Sequence, residues 1–186
     1  MSDYELYEKG YIDIPVAATD WTEKFIKAGV KKLWVYYCCG EGYDNYSNRF
    51  IAMPSYRNRI LGYQLYKFDI KGFLHWGYNF YYSQLSVHPI NPYVVNDADG
   101  GFPAGDPFCV YPSQNGALPS IRIKVFNHGL QDMMAAKLLE SFEGKEKVME
   151  IVEKFGEITW NSYPFDSQSI IKIREEINLK IKEFIS

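Results

Sequence analysis

Between residues 72 and 82 the chain reads Gly72-Phe73-Leu74-His75-Trp76-Gly77-Tyr78-Asn79-Phe80-Tyr81-Tyr82. Six of the ten residues that follow the glycine are Phe, Trp or Tyr, where a buried strand would be expected to use Val, Ile and Leu. Flat, rigid rings with polar tips suit a surface that holds a sugar. The rings stack on its C–H face, while hydroxyls and neighbouring amides meet its hydroxyls. The same composition also describes an aromatic core segment whose tyrosines are satisfied internally.

Other residues that could do chemistry are poorly placed for it. Cys38 has no flanking cue of a nucleophile, and packing as a small apolar side chain at a strand end accounts for it. His75 lies in an apolar run, the setting of a core histidine bonded to a carbonyl rather than a general base. Glu175 and Glu176 are adjacent carboxylates in a segment full of Lys and Glu, which reads as a solvated surface. Asn96-Asp97-Ala98-Asp99-Gly100 resembles half a calcium loop but lacks the distal bidentate glutamate, so an Asx-turn is expected. Gly40-Glu41-Gly42 is too short for a phosphate-binding fingerprint. The three histidines, at 75, 88 and 128, are too dispersed for a zinc cluster. Cys38, Cys39 and Cys109 form neither a Cys-x-x-Cys pair nor an even disulfide set. The residues thus give a polar-tipped aromatic wall, with no catalytic acid, base or nucleophile, no metal site and no cofactor.

Composition sets the partners. The 186 residues suffice for one domain with a real core. A net charge of -3 gives no electrostatic reason for nucleic acid or an anionic membrane as partner. No apolar run approaches a membrane span. The first ten residues are polar and acidic, unlike a signal peptide. If residue 1 is the natural start, a cytoplasmic protein is expected; a fragment could come from a secreted one.

The wall needs elements to hold it. Residues 11–16 read as a short strand. A helix follows from Thr19 or Asp20 to Gly29, and a second strand spans 33–39, without polar alternation and so covered on both faces. After a polar loop at 40–49, a brief third strand is expected at 50–53, closed by Pro54. Residues 55–68 have helical spacing, and Gly72 starts a fourth strand. Strand, helix, strand, loop, strand, helix, strand is the pattern of βα units around a parallel sheet, whose sites lie on loops after the strands. Residues 88–119, rich in Pro, Gly, Asn and Asp with a strand-like piece at 108–111, read as a long structured loop or hairpin on that face. Residues 120–125 alternate, and helices are expected at 130–142, 144–156 and 167–185. The last carries Ile170, Ile173, Ile177, Ile181 and Phe184 on one face.

Seven phrases, in order over residues 11 to 140, resemble one family. Leu33-Trp34-Val35-Tyr36-Tyr37-Cys38-Cys39-Gly40 resembles its "LWWYVCCGP", and Asn48-Arg49-Phe50-Ile51 its "PNxFID". Residues 59–68 resemble "RxLGWQxWKYG", and Gly72-Phe73-Leu74-His75-Trp76-Gly77-Tyr78-Asn79 resembles "GFLYWAYN". Residues 105–112, 119–122 and 129–132 resemble "GDGFLVYPG", "PSIRLE" and "DGIEDYEYL". The family is glycoside hydrolase family 123 with its relatives in domain of unknown function 4091.

The resemblance implies a (β/α)₈ barrel acting on β-linked N-acetylgalactosamine or a similar 2-acetamido sugar. The implied mechanism is substrate-assisted: the acetamido oxygen attacks the anomeric carbon, an aspartate orients the acetamido group, and an adjacent glutamate is acid and then base. That Asp-Glu pair lies upstream of the "LWWYVCC" strand. This chain has no Asp-Glu dipeptide. The expected fold is therefore α/β, the C-terminal part of a TIM-type barrel, with three to four βα units followed by C-terminal helices. Residues 1–126 would form the partial barrel, and 127–186 a helical segment packed on the same domain. An incomplete barrel would expose strand edges and so favour pairing with the missing half or self-association.

By the same resemblance, Tyr36 matches a tyrosine at a strand end and Trp76 the tryptophan of the last strand, a platform under the sugar ring. Tyr78 and Asn79 follow on the loop, placed to bond hydroxyls or the acetamido group, and Asn48 lines the same face. Arg59 and Arg122 match too, as structural ties between helix and loop carbonyls. The expected function is the sugar-binding wall of a β-N-acetylgalactosaminidase-like protein without its catalytic pair. The competing class is a non-catalytic carbohydrate-binding or assembly module.

Overall fold

The computed structural model describes residues 2–185. Three short parallel strands form the central sheet: β1 (Val16–Ala18), β2 (Trp34–Tyr36) and β3 (Gly72–Leu74), in the order β1-β2-β3. Val16, Trp34 and Gly72 are in register, as are Ala18, Tyr36 and Leu74. Helix α1 (Tyr4–Glu8) precedes the sheet. Helix α2 (Glu23–Lys27) joins β1 to β2, while α3 (Tyr56–Arg59) and α4 (Leu61–Lys67) join β2 to β3. An antiparallel hairpin, β4 (Val110–Ser113) and β5 (Gly116–Pro119), closes the long loop. Three helices end the chain: α5 (Ile121–Glu143), α6 (Lys145–Val152) and α7 (Ser167–Ile185).

The first strand begins later than its apolar run suggests. Pro15 has no N–H to give, and its carbonyl instead accepts from Trp34 N at 2.9 Å, so pairing starts at the next residue. The second strand stops at Tyr36 because Cys38 caps a 3₁₀ turn at Cys39–Glu41, its N–H donating to Glu41 Oε2 at 2.8 Å. The strand expected at 50–53 does not form. Ile51 N donates to Ala104 O at 2.9 Å and Met53 N to Phe50 O at 3.1 Å, so this backbone serves a turn and a loop contact. Residues 120–125 are the other correction. They open α5, with Ser120 Oγ accepting from Ile123 N, and the buried side chain is Arg122 while Ile121 faces solvent. The expected division between residues 126 and 127 falls inside this helix.

The sheet is covered on one face only, which corrects the expectation of a strand buried on both sides. Val35 and Ala17 pack with Phe25, Leu61 and Leu65 of the helical layer. On the opposite face Trp34 is 38% and Leu74 48% exposed. The Trp34 indole lies across Gly72, where an added Cβ would sit 2.2 Å from the ring. A second core joins α4 to α7: Ile60, Tyr63, Leu139, Val152 and the α7 isoleucines at 170, 173, 177 and 181. Two close approaches bind these helices. Gly62 of α4 crosses Gly129 of α5 almost backbone to backbone. Buried Asp132 of α5 accepts from Arg59 Nε at 2.7 Å and Nη2 at 3.0 Å, and from Arg174 Nη1 at 2.9 Å. Arg59 is thus a structural tie, to a carboxylate rather than to carbonyls.

Candidate functional site

The aromatic run leaves the sheet after Leu74. Gly77 has φ +58°, and a Cβ there would meet Asp106 O at 2.6 Å, so the chain turns against residues 106–107 where only glycine fits. The loop is then tied back by Cys109 N to Tyr78 O at 2.9 Å, Phe80 N to Pro107 O at 3.1 Å, and a bridge between Asn79 and Phe108. The rest of the run is a loop laid on a second loop.

His75 and Trp76 point apart, as successive residues of an extended chain do. His75 packs against Phe126, with ring centroids 5.5 Å apart, and its Nε2 is 3.6 Å from Cys109 Sγ. Burial, helped by Arg49 and Arg122, lowers its pKa to about 3, so it is neutral and a poor base at neutral pH. Trp76 is partly exposed and held edge-on by Phe102 at 5.2 Å. Tyr78 is 48% exposed, and Asn79 is also open to solvent. Tyr36, partly exposed, ends β2 in register with Leu74, two residues before Trp76. Tyr36, Trp76, Tyr78 and Asn79 thus follow one another around the carboxyl end of two adjacent strands.

Asn48 is placed differently. It is buried, with Nδ2 donating to Cys38 O at 2.8 Å and Glu41 O at 3.3 Å, and Oδ1 accepting from Arg49 N at 2.8 Å. Its amide fixes the loop after β2. Next to it, Arg49 reaches under the wall, where Nη2 donates to Trp76 O at 3.0 Å and Asp106 O at 2.9 Å. Its guanidinium also lies over the Tyr37 ring at 5.1 Å. Arg122 ties the same loop, donating to Gly105 O and to Phe108 O.

Arg49 and Asp106 are the residues sequence reasoning passed over. Both are buried, with Arg49 Nη2 3.6 Å from Asp106 Oδ1. Burial raises the Asp106 pKa to about 6 against the pull of Arg49; Glu41 adds to the rise, and Trp76 and Arg122 oppose it. The Trp76 indole favours the charged carboxylate, yet neither Asp106 oxygen completes a regular hydrogen bond among the described residues. Arg49 reads as the last residue of a polar loop, just before the apolar run that starts at Phe50, and its partner lies 57 positions away.

No reactive side chain stands out at this surface. The Cys38 thiol is pushed up to about 12, chiefly by burial, and stays protonated. Glu41 is buried and raised by the same cause. No cluster of three or more His, Cys, Asp or Glu among the described residues could hold a metal. No helix among them is long and apolar enough to cross a membrane.

Comparison with known proteins places this arrangement. The model of the glycoside hydrolase 123 catalytic domain matches residues 1–139. Among solved structures, the chain is similar to a family 123 glycoside hydrolase from Clostridium perfringens, described for glycolipid glycan hydrolysis. The two share 20% identity and superpose with a TM-score of 0.63 over 98% of this chain and 34% of that one. The chain therefore spans about a third of the length of the structure it matches, and the likeness is one of fold. No curated protein matches it.

Proposed function

The chain belongs to the glycoside hydrolase family 123 catalytic domain, and on that premise we propose that it forms the sugar-binding wall of a glycosidase acting on a 2-acetamido sugar. The observation that carries this is the cluster at the end of β3: Trp76, Tyr78 and Asn79, accessible on a loop that is itself braced from below. In this reading Trp76 stacks under the sugar ring, and Tyr36, Tyr78 and Asn79 bond its hydroxyls or acetamido group. Asn48 acts one step back, holding the loop that carries Arg49. The open face of the sheet, with Trp34 and Leu74, would line the lumen of a (β/α)₈ barrel of which this chain supplies three strands. Residues 1–126 and 127–186 would form one packed unit of it.

The family's Asp-Glu pair has no counterpart in this sequence, and the half-buried His75 and Cys38 are not substitutes for it. The chain by itself is expected to bind sugar without hydrolysing it. A second reading, a carbohydrate-binding or assembly module, is favoured by the half-covered sheet, where β1 and β3 each have one strand neighbour.

Titration with methyl 2-acetamido-2-deoxy-β-D-galactopyranoside, followed by tryptophan fluorescence, tests the proposal. Binding is expected at millimolar concentration and should weaken at least about tenfold in Trp76→Ala, the loss of one stacking platform. No response in the native chain, or an unchanged response in the variant, overturns the wall. Cleavage of an aryl β-N-acetylgalactosaminide by the purified chain overturns the inactivity.

A further inference from the structure

Trp76 turns its two ends to different surroundings. The residue is partly exposed, but its Nε1 is buried and has no hydrogen-bond partner among the described residues. Both carboxylate oxygens of Asp106, and Nε and Nη1 of Arg49, are in the same state. The unsatisfied atoms are complementary, since an indole N–H and a guanidinium only donate and an ionised carboxylate only accepts. Kept apart, each loses its hydration and gains nothing for it.

The three residues meet at one point. Arg49 Nη2 donates to Trp76 O at 3.0 Å and to Asp106 O at 2.9 Å, and lies 3.6 Å from Asp106 Oδ1. The backbone there has little play, because a Cβ on Gly77 would sit 2.6 Å from Asp106 O. Asp106 N also donates to Pro103 O at 3.0 Å. The ring neighbours of Trp76 are Phe102 at 5.2 Å, edge-on, and Phe80 at 6.0 Å, tilted. Such contacts hold an indole without choosing which edge turns inward. A carboxylate beside the N–H does choose. His75 does not compete for this role, since its ring points away and packs on Phe126.

We propose that Asp106 is the positioning residue of the sugar platform: its ionised carboxylate draws the Trp76 indole N–H inward and fixes the tilt of the ring beneath the sugar. This rests on Trp76 being that platform. Arg49, Arg122 and Trp76 favour the ionised form, while burial and Glu41 oppose it, so that Asp106 titrates at about 6. Against Arg49 lie also the Cys109 thiol and the Tyr37 hydroxyl, the latter raised by burial and kept protonated. Below pH 6 the indole keeps only a neutral partner, which holds it about half as strongly. The fold does not weaken through Asp106 on acidification, because a carboxyl raised in the folded chain stabilises it most at low pH. Lost sugar binding at pH 5 would thus report the site.

The test follows the indole N–H resonances of the whole chain by NMR from pH 5 to pH 8. Of the four tryptophans, Trp76 is assigned by the signal missing in Trp76→Phe. Its resonance should shift with a midpoint near pH 6, and the shift should vanish in Asp106→Asn, which leaves Glu41 free to titrate. Methyl 2-acetamido-2-deoxy-β-D-galactopyranoside, which is uncharged, should bind the native chain about fivefold more weakly at pH 5 than at pH 8. Asp106→Asn should bind it weakly at both values. A Trp76 signal indifferent to pH in the native chain overturns the proposal without any variant. So does a shift that persists in Asp106→Asn, or a sugar affinity equal at both pH values while the signal moves. If the signal titrates near pH 6 and the sugar binds at neither value, the platform reading falls and the Asp106–Trp76 hold stands.

Discussion

Gly62→Ala is expected to lower stability by about 3 kcal/mol or more, a steep cost for one methyl group. An added Cβ at Gly62 would lie 1.8 Å from Gly129 O and 2.4 Å from its carbonyl carbon. Both are backbone atoms of α5, so no side chain can swing aside, and the helices must part by more than an ångström. That parting also strains the Arg59–Asp132–Arg174 cluster and the Ile60–Leu139 core on either side of the crossing. Thermal unfolding followed by circular dichroism should show a midpoint roughly 10 °C lower, given a few degrees per kcal/mol for a chain of this size. Gly129→Ala should also destabilise, since its Cβ would come within 2.6 Å of Arg59 O. Gly40→Ala is the control: its Cβ would rest 3.8 Å from Cys38 Sγ, an ordinary contact, and little should change. A Gly62→Ala midpoint close to that of the control would mean the helices cross less tightly than described.

Some of this fold could be read from residue types because the physics was local. The isoleucines of α7 recur at helical spacing, and 170, 173, 177 and 181 are all buried. Gly72 marks the start of β3, as expected, although the strand stops at Leu74, before most of the aromatic run. The unread parts depend on distant partners. Residues 120–125 alternate like a strand, yet Arg122 is the inward residue because loop carbonyls, notably those of Gly105 and Phe108, await its guanidinium. Residues 50–53 have strand-like side chains, but their backbone partner is Ala104, not a sheet neighbour. The candidate site divides the same way. Trp76, Tyr78 and Asn79 were visible as types in a row. Asn48 matched a family phrase, but only the fold gives its amide to Cys38 O and Glu41 O. The Arg49–Asp106 pair beneath them joins two loops that no periodicity connects.

Arg49→Met should be the other large effect, and a pH-dependent one. Methionine can fill much of the space, but it cannot donate to Trp76 O or Asp106 O, and it leaves the buried Asp106 carboxylate without its cation. Breaking a buried pair from one side costs about 3–5 kcal/mol at neutral pH. The pH dependence follows from Asp106, whose pKa in the folded chain is raised from 3.8 to about 6 by burial. A raised carboxyl group favours the folded state fully below its unfolded value, and that contribution is lost as pH climbs through the folded one. Without Arg49 the charged form is costlier still, so the folded pKa moves higher. The variant should therefore be much less stable than the native chain at about pH 8, and the gap should narrow on acidification to about pH 5. Adding Asp106→Asn to Arg49→Met removes the charge and should flatten that difference. Urea unfolding of the four chains at both pH values measures the cycle. A penalty for Arg49→Met that is the same at both values, or one that stays pH-dependent after Asp106→Asn, would show that the pair does not couple. If it does couple, the carbonyl of the proposed sugar platform is held by an arginine whose own anchor titrates near pH 6. Sugar binding at Trp76 should then weaken together with stability in Arg49→Met, although Arg49 never touches the sugar.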